Sequence, residues 1–85
     1  MKIYFFKFTH SQVKKNPAQV RIPAYSEEDA KALFKAMYED APELKLFKIK
    51  PINTQDPHTK TDLDKVIIFA DGVTSEKVIP SIFLQ

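Results

Sequence analysis

Apolar and polar side chains alternate through the first twenty-five residues. In 2–10 the even positions read Tyr4, Phe6 and Phe8, whereas Lys7 and Thr9 are odd; in 19–25 the even positions read Val20, Ile22 and Ala24, whereas Gln19 and Arg21 are odd. Successive side chains of a strand point to opposite faces, so both segments read as strands of one sheet with a buried face and a wet, basic face. The connection over 11–18 is polar and long for a hairpin, and it carries no glycine. Pro23 cannot donate to a ladder, which predicts a free edge of the second strand near that residue.

The pattern then changes period. Ala30, Leu33, Phe34, Met37, Tyr38 and Ala41 follow the spacing of one helical stripe. Ser26 is a good N-cap, and Glu27, Glu28 and Asp29 place negative charge where the helix dipole favours it. Pro42 disfavours helical geometry at Ala41, so the helix is expected to end near Asp40.

Beyond it, Leu44 and Leu46 are apolar on one phase and Phe47 and Ile49 on the other, which predicts a bulge near Leu46–Phe47 or apolar side chains on both faces. The segment 65–70 is a fourth strand too apolar for a fully wet edge. Asp71-Gly72 signals a tight hairpin, with a fifth strand within 73–79. The order β-β-α-β-β-β predicts an α+β fold: a mostly antiparallel sheet of four to five strands with one amphipathic helix packed on one face. The 85 residues form a single domain over 1–85.

Composition narrows the function classes. With no cysteine, neither disulfides nor a thiolate zinc site are available. No apolar run reaches the roughly 18 residues of a membrane span, and the stretch after Met1 is too short for a signal-peptide core. The expected compartment is the cytoplasm, and no membrane partner is expected. For catalysis the residues are sparse: His10 and His58 are the only histidines, and there is no glycine-rich phosphate loop and no nucleophile elbow. A non-enzymatic protein without cofactors is expected.

Charge is segregated along the chain. Residues 1–25 carry five basic residues and no acid, 26–43 carry six acids against Lys31 and Lys35, and 44–51 add Lys45, Lys48 and Lys50. Phe5, Lys7, Arg21, Lys48 and Lys50 are therefore the candidate partner-binding residues, on the sheet surface opposite the helix. An aromatic ringed by cations fits an acidic protein partner, and it also fits single-stranded nucleic acid, where bases stack and cations track phosphates. Twelve of the thirteen basic residues are lysine, a hydrated point charge, whereas base reading favours arginine. A protein partner is thus the leading expectation, with nucleic acid and a homodimeric structural subunit as alternatives. Solubility and edge protection are the ordinary uses of such charges.

Glu27, Glu28, Asp29, Glu39, Asp40 and Glu43 form an acidic set that also serves as dipole partners and solvated helix ends. Asp56, His58, Asp62 and Asp64 lie in the polar segment 53–64, expected to be mobile, but their spacing matches no calcium or zinc pattern, so no metal is expected. The tail Ile82-Phe83-Leu84 is expected to dock on the core.

The segment Ile22-Pro23-Ala24-Tyr25-Ser26-Glu27-Glu28-Asp29-Ala30-Lys31-Ala32-Leu33-Phe34 resembles the strand-to-helix passage of small proteins encoded by phages and mobile elements, among them anti-CRISPR inhibitors of host defence. The resemblance covers 13 of the 85 residues and implies a small binder that blocks a larger host protein by occupying its surface, acting in the host cytoplasm. It carries over no individual functional residue.

Overall fold

The structure is a computed structural model that describes residues 1–52 and 63–80. Its elements follow in the order β1 (Lys2–Phe8), β2 (Ala18–Ala24), α1 (Glu27–Met37), β3 (Lys45–Pro51), β4 (Lys65–Ala70) and β5 (Val73–Val78). The five strands form one antiparallel sheet in the spatial order β3-β1-β2-β4-β5, with α1 against one face. This is the expected α+β arrangement.

The alternation places Tyr4, Phe6, Phe8, Val20 and Ile22 under the helix, where they pack with Ala30, Leu33 and Phe34; Met37 and Tyr38 close the margin of the same cluster. Phe6, Val20 and Ile22 are almost wholly removed from water, and the Phe8 and Phe34 rings meet at 5.7 Å between centroids. Burial of large apolar side chains stabilises the fold.

Helix α1 starts where capping chemistry places it, with the Ser26 Oγ accepting the Asp29 N–H at 3.1 Å. It stops three residues before Asp40, which corrects the expected end. Tyr38 already has extended backbone (φ −132°, ψ 122°) while its N–H still donates to the Phe34 carbonyl. Its ring then lies 4.8 Å from that of Phe34, joining the core margin.

Register resolves two other expectations. β2 pairs with β1 along its length but with β4 only from Gln19 to Arg21, so the side of Pro23 toward β4 is unpaired although β2 is an interior strand. The face opposite α1 is not uniformly wet, however. Ile3, Pro23 and Ile67 share it by register, yet all three are buried. Ile3 lies between Pro23 and Lys50, and Ile67 between Arg21 and Glu76. Alternation along a strand therefore selects a face without fixing its exposure.

The long β1–β2 connection is ordered by side chains rather than by glycine. The Asn16 Oδ1 accepts the His10 N–H while its Nδ2 donates to the Val13 carbonyl, and the Asn16–Pro17 peptide is cis. The Asp71 carboxylate accepts the backbone N–H groups of Lys14 and Lys15. Asp71 and Gly72 both have positive φ (53° and 76°), the pairing required by a two-residue hairpin turn that matches strand twist.

Candidate protein-binding face

The candidate face opposite α1 is assembled from interior strand β1, edge strand β3 and the middle of β2. Phe5 pairs with Arg21 on one side and Lys48 on the other, and Lys50 pairs with Ile3. Lys7 follows Phe5 by two residues, so all five sequence-selected residues share this face.

The β3 register breaks between Phe5 and Phe6: Phe5 opposes Lys48 and Phe6 opposes Leu46, leaving Phe47 as the additional residue of a bulge. A bulge re-aims side chains locally, and here it turns Phe47 toward Phe5. The two rings lie 6.2 Å apart at 58°. The Lys7 ammonium sits 5.0 Å over the Phe47 ring and the Lys48 ammonium 5.4 Å over Phe5. Two aromatic rings and two cations therefore form one interlocked cluster. At exposed sites each such cation–ring contact is worth about 0.5–1 kcal/mol. Phe5 is half-buried and Phe47 is 44% exposed, so Phe47 is the more accessible ring.

The sequence pattern does not single out Phe47 or Phe69 as site residues. The phase change at Leu46–Phe47 signals the bulge, but not which face the extra ring takes. Phe69 reaches the same face through Gln19, which lies between it and Lys7 in the register, and it is partly exposed. Within the continuous apolar run of β4, nothing local distinguishes Phe69 from its neighbours.

The acidic set does not form one surface. Glu27, Glu28 and Asp29 occupy the first turn of α1, whereas Glu39, Asp40 and Glu43 follow its other end. Glu27 pairs with Lys31 at 3.2 Å, an exposed contact of the kind that contributes little. Asp56, His58, Asp62 and the tail 81–85 lie outside the described residues; Asp64 is exposed and its carbonyl accepts the Ile79 N–H.

A cleft of about 540 Å³ opens between the end of β1, the β1–β2 connection and the C-terminal end of α1, with Phe8, Phe34, Met37 and Ile68 in its wall and His10 and Tyr38 among its polar lining. The His10 Nδ1 accepts the Gln12 N–H, which fixes that nitrogen as a turn acceptor. Burial pushes the Tyr38 phenol above its ordinary value. Among the described residues, no group of three metal-ligating side chains is gathered and no helix is long and apolar enough to cross a membrane.

Comparison of the chain with protein-family models, curated proteins and solved structures finds no match.

Proposed function

We propose that this protein is a non-enzymatic protein-binding module that engages an acidic partner through the face carrying Phe5, Phe47, Lys7 and Lys48, with Arg21 and Lys50 on its margin. The observation that supports this reading is the interlocked cluster itself, in which the exposed Phe47 ring on an edge strand meets the Phe5 ring and each ring carries one lysine ammonium. An aromatic anchor supplies apolar area to a partner pocket, and the surrounding charge steers approach. Blocking a larger host protein by surface occupation, as expected from the phage-inhibitor resemblance, requires no more than such a face.

Single-stranded nucleic acid is the second reading, favoured by the same mixture of rings and cations. The geometry supports it less well. Lys7 already occupies one face of Phe47 and Lys48 one face of Phe5, so a base stacking there would have to displace an ammonium group. Carboxylates of a protein partner can pair with those ammonium groups while they remain near the rings.

The discriminating experiment is affinity capture from lysate of the source cell, with and without nuclease, using the native chain and Phe47→Ala/Lys48→Glu. A protein retained after nuclease by the native chain and lost by the variant supports the leading reading. Retention abolished by nuclease transfers the face to nucleic acid, and equal capture by both chains overturns its role.

A further inference from the structure

The two edges of the sheet are built differently. β3 carries devices that discourage further strand pairing: the bulge at Phe47, the lysines Lys45, Lys48 and Lys50, and a terminal Pro51. β5 carries neither bulge nor proline, and a single lysine, Lys77. Its sequence Val-Thr-Ser-Glu-Lys-Val contains no proline, its register with β4 is unbroken from Val73 to Val78, and all six residues are exposed. Among the described residues, its only strand partner is β4.

The charges of β5 do not guard its edge either. Glu76 is paired with Lys65 on the neighbouring strand at 3.6 Å. Lys77 folds back over the helix end, where its ammonium donates to the Met37 carbonyl at 3.1 Å and sits 4.9 Å over the Tyr38 ring. Both charged side chains are thus held by the protomer's own groups, leaving a regular backbone edge flanked by Val73 and Val78, which are 62% and 63% exposed.

We infer that β5 is a self-association edge that pairs antiparallel with β5 of a second copy, joining two five-stranded sheets into one. Strand geometry selects the register. Ala70 and Val73 close the two-residue turn as a hydrogen-bonded pair, so Val73, Ser75 and Lys77 bond to β4 while Thr74, Glu76 and Val78 turn their backbone groups outward. A two-fold axis perpendicular to the sheet keeps like faces together and allows only registers in which outward-bonding residues meet. With Ser75 opposite Ser75 of the second copy, Thr74 meets Glu76 and Val73 meets Lys77, with no like charges opposed. The neighbouring register in one direction sets Glu76 against Glu76, which is destabilising. The neighbouring register in the other centres on Thr74, sets Glu76 and Lys77 against Gly72 and Asp71 of the turn and leaves only Val73–Ser75 paired within β5, whereas the Ser75-centred register pairs Val73–Lys77 within the strand. The second copy is therefore the occupant that the charge pattern accepts.

One six-residue strand pair is a small contact, so the association is reversible and concentration-dependent. The perpendicular axis leaves the two Phe5–Phe47 clusters on the same side of the joined sheet, at its far ends, presenting two partner-binding faces together. That consequence rests on the proposed function; the pairing itself does not.

Sedimentation of the purified chain over a broad dilution series tests the pairing without any partner present. The native chain is expected to shift from monomer to dimer mass as concentration rises. Thr74→Pro removes an outward N–H without touching the β4 ladder, and is expected to weaken association by at least about tenfold, given two lost backbone hydrogen bonds per dimer. Ser75→Lys places like charges across the axis and is expected to act in the same direction, which covers the case that the proline variant misfolds. Ser75→Cys, the sole cysteine in the chain, should oxidise to a covalent dimer, because directly opposed non-hydrogen-bonded residues have Cα atoms about 4.5 Å apart. Adding Thr74→Pro should abolish that cross-link. A native chain that stays monomeric throughout, or a folded Ser75→Lys chain that dimerises like the native one, overturns the proposal.

Discussion

The Asp71 carboxylate accepts the backbone N–H of Lys15 at 2.6 Å and that of Lys14 at 3.0 Å, tying the β4–β5 turn to the β1–β2 connection across more than fifty residues of chain. An ionised carboxylate is a strong acceptor for such paired donors. The contact joins two segments that have no strand pairing with each other, and it gives a long glycine-free connection a fixed end.

Those N–H groups, Lys14 first and Lys15 second, hold the Asp71 carboxyl below its ordinary value. A depressed folded value means the stabilisation is fully present above the unfolded carboxylate range, about pH 4, and is lost as pH falls through the lower folded value. Thermal melts over acid pH should therefore show the native chain losing stability more steeply than Asp71→Asn. Parallel curves for the two chains would contradict this assignment. Asp71 is exposed, so added salt should reduce the difference.

Gly72 tests backbone conformation alone. Its φ is +76° and a Cβ there would meet nothing within 4 Å. Gly72→Ala should cost about 1–2 kcal/mol from left-handed strain without any steric clash. Urea unfolding would measure this, and an unchanged midpoint would mean that the turn relaxes to another type.

Leu33 is the test of helix-on-sheet packing. It is 5% exposed and lies in the cluster with Phe6, Val20 and Ile22. Leu33→Ala should destabilise by about 2–4 kcal/mol in chemical denaturation, combining lost transfer energy with a residual cavity. A near-neutral result would be incompatible with α1 covering this face.

Lys77 should stabilise the end of α1 through its charge. Cations favour helix C-terminal carbonyls and aromatic faces, and Lys77 meets both in Met37 and Tyr38. Lys77→Met retains most of the aliphatic stem and should cost about 0.5–1.5 kcal/mol. If hydrogen exchange at Phe34 through Tyr38 is unaltered in that variant, the contact has no stabilising role.

The partner face separates steering from anchoring. Charge reversal at Lys48 and Lys50 should slow association with an acidic partner, whereas Phe47→Ala or Phe5→Ala should speed dissociation. Phe47→Ala should leave the circular dichroism spectrum unchanged because that ring is exposed. Phe5 is half-buried, so its variant needs the same check before its kinetics are read. Unaltered rates in every variant would shift attention to Glu27, Glu28 and Asp29.

Local chemistry made much of this fold readable from the chain. Alternation separated Tyr4, Phe6 and Phe8 from Lys7, because side-chain direction along a strand depends only on the backbone pleat. Ser26 located the start of α1 because an N-cap bonds within its own first turn. Asp71-Gly72 located the hairpin because positive φ is a property of the residues themselves. That Phe5 and Lys7 share a face, and Lys48 and Lys50 another stretch of one face, was legible for the same reason; the registers with β2 and β3 joined them with Arg21. Pairing decided the rest. The order β3-β1-β2-β4-β5 makes β1, β2 and β4 interior, and Ile3 and Ile67 are buried on the face that alternation marked as wet. The β1–β3 register, through its bulge, put Phe47 beside Phe5, and the neighbouring helix end drew Lys77 away from the edge of β5. These outcomes depend on which distant segments meet, and the sequence near each residue carries no record of its neighbour across the sheet.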